Sequence, residues 1–327
     1  TEYLNDTGKA ETSVYSIYRF LDKLNTRLKD QVEEISFAHT KALLQGNIGV
    51  VFYDMTTIYF ESSQPDELRI TGFSKDGKHQ NPQIFLGLLV GKNGYPIGYE
   101  IFEGNTFEGH TLIPVLERFS KRFRLVKPIV VADAGLLTKT NIELLEKNEY
   151  QFILGARIKN ESNQIVKKIE LLDLKDNQIG LIHKDDGTIL YVGYSDKRAS
   201  KDQFNRERGL RRLEKSLSSG RLTKSNINNR GYNKSLKMEG EVAISINYDK
   251  FRKDAKWDGL KGYLTNTNLS GSEVIDTYKN LWMIERAFRI SKTDLKIRPI
   301  YHRLKDRIES HICISFISYV LYKELDR

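Results

Sequence analysis

A run of β-branched and aromatic residues near the start of the chain, VVFYDMTTIYFES at positions 50–62, predicts a β-strand. Asp54 stands in the middle of this run. Aspartate is depleted in strands, and burying its charge costs several kcal/mol unless another group pairs with it. Taken alone, Asp54 is more often a polar group satisfied within the sheet than a ligand, so a functional role needs partners elsewhere in the chain.

The residues that follow predict a mixed α/β sheet with an antiparallel start. PQIFLGLLVGKNGYPIGYEIFEG contains two strands joined by a turn at Asn93 and Gly94, which is a strong hairpin signal. KPIVVADAG is a short apolar run that ends at Asp133, as is typical of a strand buried on both faces. The predicted order is three strands, helix, strand, helix and strand, with flanking helices.

Changes in composition along the 327 residues predict four segments. They are an N-terminal helical segment (1–46), the first part of the α/β core (47–158), a β-rich basic insertion (159–256), and the second part of the core with C-terminal helices (257–327). The α/β pattern resumes at GYLTNT, just after the insertion. The chain does not begin with Met, so we expect a fragment or a processed form.

The net charge of +9 favours an anionic partner. Positions 196–239 hold 13 Lys or Arg against 5 Asp or Glu, a net of +8, so nearly all of the excess lies in this stretch. A run of basic residues usually forms a solvated, partly flexible loop. The alternative is that it contacts phosphate, if a nearby site acts on nucleic acid. A polar helix is predicted there, and its cations are Arg206, Arg208, Arg211, Arg212 and Lys215.

Several protein classes are disfavoured by the sequence. The single cysteine, Cys313, cannot form an internal disulfide, which fits the reducing cytoplasm. The longest apolar segment, HICISFISYVLY, has about a dozen residues, fewer than a membrane span needs, and fits a buried helix. The sequence contains neither a Cys/His cluster suited to zinc nor a Walker phosphate-binding motif.

One long helix is predicted over SGSEVIDTYKNLWMIERAFRISKTDL, positions 270–295, with Ser270 and Glu273 as its capping box. An apolar stripe on this helix is expected to pack on the sheet, and it consists of Val274, Leu281, Ile284, Phe288 and Leu295. The neighbouring face carries Tyr278, Trp282, Glu285, Arg289 and Lys292. Glu285 would then lie at the margin of the core, where an ion-pair ladder is the common structural explanation.

Three carboxylates together predict a metal site. Asp54 lies in the first strand, Asp133 ends the fourth strand, and Glu285 lies on the returning helix. Ligands in open α/β sheets bind beyond the carboxyl ends of the strands, although Asp133 alone could equally be a helix N-cap. Two aspartates and a glutamate supply the hard oxygen ligands that Mg²⁺ or Mn²⁺ prefers, and a bound ion would make the burial of Asp54 tolerable.

These residues resemble a DDE transposase of bacterial insertion sequences, in the cut-and-paste group with a β-rich insertion between the second and third acidic residues. The similarity runs from about position 46 to position 325. It is carried by the blocks FYDMTTIYFE, GFSKDGKHQNPQIFLGLLV, GYPIGYEIFEGNTFEGHT, VVADAGLLTKTNIELL, WDGLKGYLTNT and YKNLWMIERAFRISKTDLKIRPIYHR. The resemblance implies a ribonuclease H-like fold and a catalytic, metal-binding triad of Asp54, Asp133 and Glu285. It also implies two Mg²⁺ ions, for which Mn²⁺ can substitute.

The helix signature of this group is Tyr, two residues, Arg, three residues, Glu, six residues, Lys. Tyr278, Glu285 and Lys292 fit it, whereas Leu281 stands where the signature has Arg, and Arg289 is expected to replace that phosphate contact in part. The resemblance implies that Tyr278, Arg289 and Lys292 contact DNA. The other expected DNA contacts are Arg208, Arg211 and Arg212 in the basic stretch and Trp257 as a stacking partner for an extruded base.

The expected partners are transposon ends and target DNA, with a dimer in the DNA complex, no membrane, and a bacterial cytoplasm as the location. Relatives carry an N-terminal domain that recognises transposon ends, and with only 46 residues before the first strand we expect it to be missing or truncated. Two alternatives stay open, namely a nuclease on the same fold that never joins strands and an inactive DNA-binding relic. The segment GFSKDGKHQ, with Lys75, Lys78 and His79, is either a second phosphate contact or a solvated turn.

Overall fold

A computed structural model describes residues 13–62, 64–74, 76–124, 126–223, 226–227, 231–239 and 243–326. The chain forms two compact units. Unit 1 comprises Thr1–Leu154 and Asp276–Arg327, and unit 2 comprises Gly155–Ile275. The predicted N-terminal segment falls in unit 1, and the predicted insertion at 159–256 falls in unit 2.

The described helices and strands follow the predicted order of the α/β core. In chain order they are α1 (Val14–Lys23), α2 (Lys29–Leu43), β1 (Val50–Tyr59), β2 (Gln83–Val90), β3 (Pro96–Glu103), α3 (Leu112–Phe123), β4 (Ile129–Ala132), α4 (Lys139–Lys147), β5 (Phe152–Ala156), α5 (Asn163–Glu170), β6 (Ile179–His183), β7 (Ile189–Tyr194), α6 (Asp196–Ser218), β8 (Leu236–Glu239), β9 (Ala243–Ile246), α7 (Tyr248–Asp254), β10 (Leu260–Thr265), α8 (Gly271–Lys279), α9 (Trp282–Thr293) and α10 (Lys305–Leu325). None of these helices is both long enough and apolar enough to cross a bilayer.

The first five strands lie in the order β3-β2-β1-β4-β5. β1 pairs antiparallel with β2 and β2 pairs antiparallel with β3, whereas β4 is parallel to β1 and β5 is parallel to β4. Every residue of β2 is buried, as expected of a central strand covered on both faces. This topology confirms the predicted mixed sheet with an antiparallel start, and it is the ribonuclease H-like arrangement that the resemblance implies.

The predicted turn between β2 and β3 is present. Asn93 has φ 62° and Gly94 has φ 74°, both in the left-handed region that Asn and Gly adopt most readily. This turn places β3 antiparallel to β2, with Leu88 opposite Tyr99. The Asn-Gly pair therefore sets the antiparallel half of the sheet.

The two faces of the unit 1 sheet carry different helices. On one face, the Thr111 hydroxyl donates to Met55 Sδ at 2.8 Å, and the ring of Phe119 on α3 lies directly over Gly98. On the other face, Leu86 and Leu88 line a small cavity with residues of α9 and α10. Asp54 is opposite Leu88, and because paired residues point to the same face of a sheet, Asp54 faces α9.

Unit 2 contains an antiparallel ladder in the order β10-β7-β6 and a separate β8-β9 hairpin. The segment predicted as a β-rich insertion contains β6, β7, β8 and β9. A small apolar cluster joins helix α6 to the hairpin through Leu213, Leu236 and Ile246. The helix predicted in the basic stretch is present as α6.

The single long helix predicted over positions 270–295 is wrong, because the chain divides there into α8 and α9. The backbone N–H groups of Asn280, Leu281, Met283 and Ile284 each bond to the carbonyl three residues back rather than four. Such bonds wind the chain more tightly, so the faces of the two helices do not continue into each other. The capping box is confirmed, since the Ser270 N–H donates to Glu273 at 2.8 Å and the Glu273 N–H donates to the Ser270 hydroxyl at 3.4 Å.

Replacing Gly98 by Ala is expected to destabilise the protein by about 1–3 kcal/mol, because the added methyl group overlaps the Phe119 ring and overpacks the core. Gly49→Ala is the matched control, since its methyl group would meet its nearest atom at 3.6 Å. Urea unfolding measures the outcome: the midpoint should fall for Gly98→Ala and hold for Gly49→Ala. Equal midpoints for both variants would contradict the packing of α3 against β3.

Candidate active site

Asp54 and Asp133 lie side by side at neighbouring strands. The parallel register of β1 and β4 aligns Val51 with Val130 and ends at the pair Tyr53 and Ala132. Asp54 and Asp133 each occupy the next position, and both are half-buried. Neighbouring strands lie about 4.8 Å apart, and parallel partners point to the same face of a sheet. The two carboxylates therefore lie next to each other on one face of the apolar sheet.

Backbone N–H groups orient both carboxylates. The Met55 N–H donates to Asp54 Oδ1 at 2.7 Å, and the Gly135 N–H donates to Asp133 Oδ1 at 2.8 Å. A side chain at Gly135 would crowd Asp133, because its Cβ would lie 2.9 Å from that oxygen. The alternative role of Asp133 as a helix N-cap is wrong, since α4 begins at Lys139 and is capped by Thr138.

Tyr53 precedes Asp54 on β1 and is fully buried. Burial raises the pKa of its hydroxyl far above the ordinary value, and the negative charge of Asp54 raises it further. The phenol therefore stays protonated across the physiological pH range.

Glu285 lies on α9, the helix that packs against β1 and β2. Met283 approaches the turn at Gly94, and Phe288 lines the small cavity with Leu86 and Leu88, so Glu285 lies at the level of Leu88. Leu88 is the partner of Asp54, so the helix that carries Glu285 covers the face of the sheet to which Asp54 points. Glu285 is exposed, and within the described ranges its carboxylate has neither a hydrogen bond nor an ion pair, so the predicted ion-pair ladder is not formed.

The donor set fits Mg²⁺ or Mn²⁺, because all three side chains offer hard carboxylate oxygens. The structure brings together Asp54 and Asp133 but does not close Glu285 onto them. In the part of the chain that the structure describes, no three Asp, Glu, His or Cys side chains already stand close enough to share an ion. Joint metal binding by the triad stays a prediction.

The other residues of the predicted helix face differ in exposure. Tyr278 on α8 is 7% exposed, whereas Trp282 on α9 is 50% exposed. Arg289 is exposed one turn beyond Glu285, and Lys292 donates to Asp76 at 3.2 Å. The Arg289 side chain is accessible for a DNA contact. Tyr278 could contact DNA only if its buried ring became accessible.

A comparison with known families identifies the family of the chain. The profile of the family described as "Transposase DDE domain" matches residues 45–321, which include Asp54, Asp133 and Glu285. The chain belongs to the transposase DDE domain family. No curated protein sequence matches this DDE domain.

Among solved structures, a piggyBac transposase synaptic complex with hairpin DNA matches 84% of this chain at 8% identity and a TM-score of 0.49. A Mos1 transposase paired-end complex with the left transposon end matches 46% of this chain at 15% identity and a TM-score of 0.23. The matches cover 46% of the piggyBac chain and 48% of the Mos1 chain, so the chain spans about half the length of these proteins.

The basic helix α6 of this DDE domain presents most of its predicted cations to solvent. Arg208, Arg211, Arg212 and Lys215 are exposed, and their spacing of three, one and three residues places them on one side of the helix. Arg206 is different, because it pairs with an acidic residue of the chain. Its guanidinium donates twice to Asp258, at 2.7 and 3.1 Å, and lies 4.9 Å from the centre of the Phe251 ring.

Trp257 is 8% exposed. The ammonium groups of Lys256 and Lys159 lie 5.3 and 6.0 Å from the centre of the indole, and burial lowers the pKa of Lys159. The indole also lines a cavity of about 450 Å³ within unit 2. The ring is mostly packed, so base stacking by Trp257 stays a prediction.

Removing any one of the three carboxylates is expected to lower the affinity for Mn²⁺ by about 10–100-fold or more. Losing a residue that only hydrogen-bonds to a metal ligand already lowers metal affinity by about 10–100-fold. Asp54→Asn, Asp133→Asn and Glu285→Gln remove a negative ligand with little change in shape. Titration calorimetry with Mn²⁺ measures the affinity, and Glu34→Gln, an exposed carboxylate on α2, is the control. Parent-like affinity in a folded Glu285→Gln protein would exclude Glu285 from the site.

Changing Arg208, Arg211 and Arg212 to Gln is expected to weaken binding to all DNA sequences alike. Each lost phosphate contact lowers the slope of log affinity against log salt concentration by about 0.9 on duplex DNA. This slope should therefore be smaller by about 2.7 in the triple variant. The control changes Lys121, Lys139 and Lys147, three exposed cations on α3 and α4, to Gln. Unchanged affinity in the α6 variant, or equal losses in both variants, would contradict a local DNA contact by α6.

Proposed function

We propose that this chain is a transposase that cleaves DNA at transposon ends and transfers the freed strand into target DNA. The observation that carries the proposal is the family match over residues 45–321 together with its three acidic positions. Two of these, Asp54 and Asp133, follow the last aligned pair of β1 and β4, and the third lies on the helix that covers the same face. Carboxylates on one face of an apolar sheet contribute little to core packing, whereas metal-dependent phosphoryl transfer requires them.

Asp54, Asp133 and Glu285 are the residues that would hold two Mg²⁺ ions, or Mn²⁺ in their place. Such ions, when bound, activate a water or a 3′-hydroxyl as the nucleophile and stabilise the charge on the leaving oxygen. The Met55 and Gly135 N–H groups would fix the orientation of the two aspartates during this step. Among the described residues, the exposed Glu285 carboxylate has no hydrogen bond or ion pair to give up when it joins them.

DNA is the proposed substrate, both as the transposon end and as the target. Arg289 and Lys292 follow Glu285 on α9 and would hold the backbone of the reacting strand, while the exposed arginines of α6 would hold the duplex at a distance from the reaction. Two protomers would act together on the two transposon ends, in a bacterial cytoplasm. A nuclease that cuts but never joins would use the same carboxylates, so the joining step must be measured directly.

The deciding experiment supplies a pre-cut transposon end with a free 3′-hydroxyl, made from the DNA that flanks the coding sequence, and a supercoiled target plasmid. In Mg²⁺ the parent protein is expected to join the end to the plasmid, and Asp133→Asn is expected to lower the rate by orders of magnitude while staying folded, because it lacks one metal ligand. Joined products are counted after gel separation.

Glu34→Gln is the control and should join at the parent rate. Plasmid nicking without joining would favour the nuclease, and DNA binding without either reaction would favour the inactive relic. A folded Asp133→Asn protein that joins at the parent rate would remove Asp133 from the site.

A further inference from the structure

Lys292, the last residue of the helix signature, contacts a carboxylate of its own chain. Lys292 Nζ donates to Asp76 Oδ2 at 3.2 Å, and Arg298 Nη1 donates to the same oxygen at 2.7 Å. The side chains of Lys292 and Arg298 are 14% and 27% exposed, respectively. Two largely buried cations therefore share one carboxylate oxygen.

Tyr59, the last residue of β1, lies beside this pair. The guanidinium carbon of Arg298 is 5.0 Å from the centre of the Tyr59 ring, and Lys78 Nζ is 5.6 Å from it. Cations at this distance are attracted by the ring face. We call Lys78, Lys292 and Arg298 the distal cation cluster, in which Lys78 and Arg298 lie over the Tyr59 ring and Lys292 shares Asp76 with Arg298.

The sequence gives no sign of this arrangement. Asp76 and Lys292 are 216 positions apart, and Arg298 lies beyond the end of α9. Asp76 is on the turn that contains Gly77, whose φ is +76°, and this turn belongs to no strand. The neighbouring Lys75 lies outside the described residues. Because the turn is outside the sheet, moving the Asp76 side chain away would break no strand pairing.

The separation between Glu285 and Lys292 can be spanned by one DNA strand. Lys292 is seven residues after Glu285, or about 10 Å along α9. One strand of a duplex carries a phosphate for about every 3.4 Å of helix axis. A duplex that runs along α9 with its reacting phosphate at Glu285 would bring another phosphate to Lys292 about three nucleotides away.

We propose that the distal cation cluster is a phosphate site for the DNA strand and that Asp76 occupies this site until DNA displaces it. A carboxylate oxygen held by two cationic N–H donors imitates a phosphate oxygen, because both are anionic acceptors of charge-assisted hydrogen bonds. Asp76 then acts as an internal competitor. It keeps two buried cations paired without DNA, and it lowers the affinity for any strand that reaches the cluster.

This inference rests on the proposed function, and its test uses DNA binding without catalysis. Asp76→Asn is expected to raise the affinity for a short labelled duplex of random sequence, measured by fluorescence anisotropy in EDTA. The gain should be between about 2- and 30-fold, the range for breaking two partly exposed ion pairs. Asp294→Asn is the control, since it removes one exposed carboxylate just after α9 and changes the net charge equally.

A double-variant cycle separates local competition from general repulsion. Arg298→Gln should lower the affinity for the duplex. Asp76→Asn should raise that affinity less in the Arg298→Gln background than in the parent. Equal gains for Asp76→Asn and Asp294→Asn, or additive effects of Asp76→Asn and Arg298→Gln, would overturn the proposal, as would a parent protein that binds no duplex.

Failure of the proposed function is distinguishable from these outcomes. A parent protein that binds the duplex yet never cuts or joins DNA in Mg²⁺ would refute the transposase while the affinity cycle still decides the role of Asp76. Conversely, a parent that joins DNA normally and an Asp76→Asn protein with parent affinity would refute the competitor and leave the transposase standing.

Discussion

The parallel pairing of β1 with β4 is the interaction on which the candidate site depends. Its register ends with Tyr53 beside Ala132 and so brings the two aspartates to the same level and the same face. Val51, Val130 and Val131 are at most 1% exposed and hold this register through burial on both sides of the sheet. A slip of one residue would turn one carboxylate to the opposite face and separate the pair.

The same arrangement creates an electrostatic requirement. Two carboxylates on neighbouring strands repel each other, and a low-dielectric sheet screens that repulsion less than water does. A divalent cation relieves the repulsion directly. About 10 Å away along α9, by the rise of the helix, the distal cation cluster has the opposite requirement and needs an anion. In the proposed function, one end of unit 1 would hold metal ions and another would hold phosphate, on elements that share one packed face.

The sequence predicted the strands of unit 1 and its turn because burial and hairpin formation leave strong local patterns. The break between α8 and α9 left no such pattern, since the apolar positions at Leu281 and Ile284 continue the helical spacing and the interval contains no Gly or Pro. In unit 2, β6 and α7 escaped prediction because they are short and mostly exposed.

The candidate site was predictable only in part, for a different reason. Asp54 was conspicuous because a charge in an apolar strand needs an explanation, and Asp133 because it ended a buried run. Partner choice at long range is not encoded in any local pattern. The pairing of Arg206 with Asp258 and that of Lys292 with Asp76 both join residues far apart in the sequence, so each became visible only in three dimensions.

The position of unit 2 in the chain also orders events during synthesis. Asp54 and Asp133 are made before unit 2, and Glu285 is made after it, 152 positions beyond Asp133. A ribosome that adds about 5–20 residues per second needs about 8 to 30 s to cover that interval. During this time the nascent chain carries two of the three carboxylates and lacks α9 entirely. The three carboxylates can therefore come together only after all of unit 2 has been made.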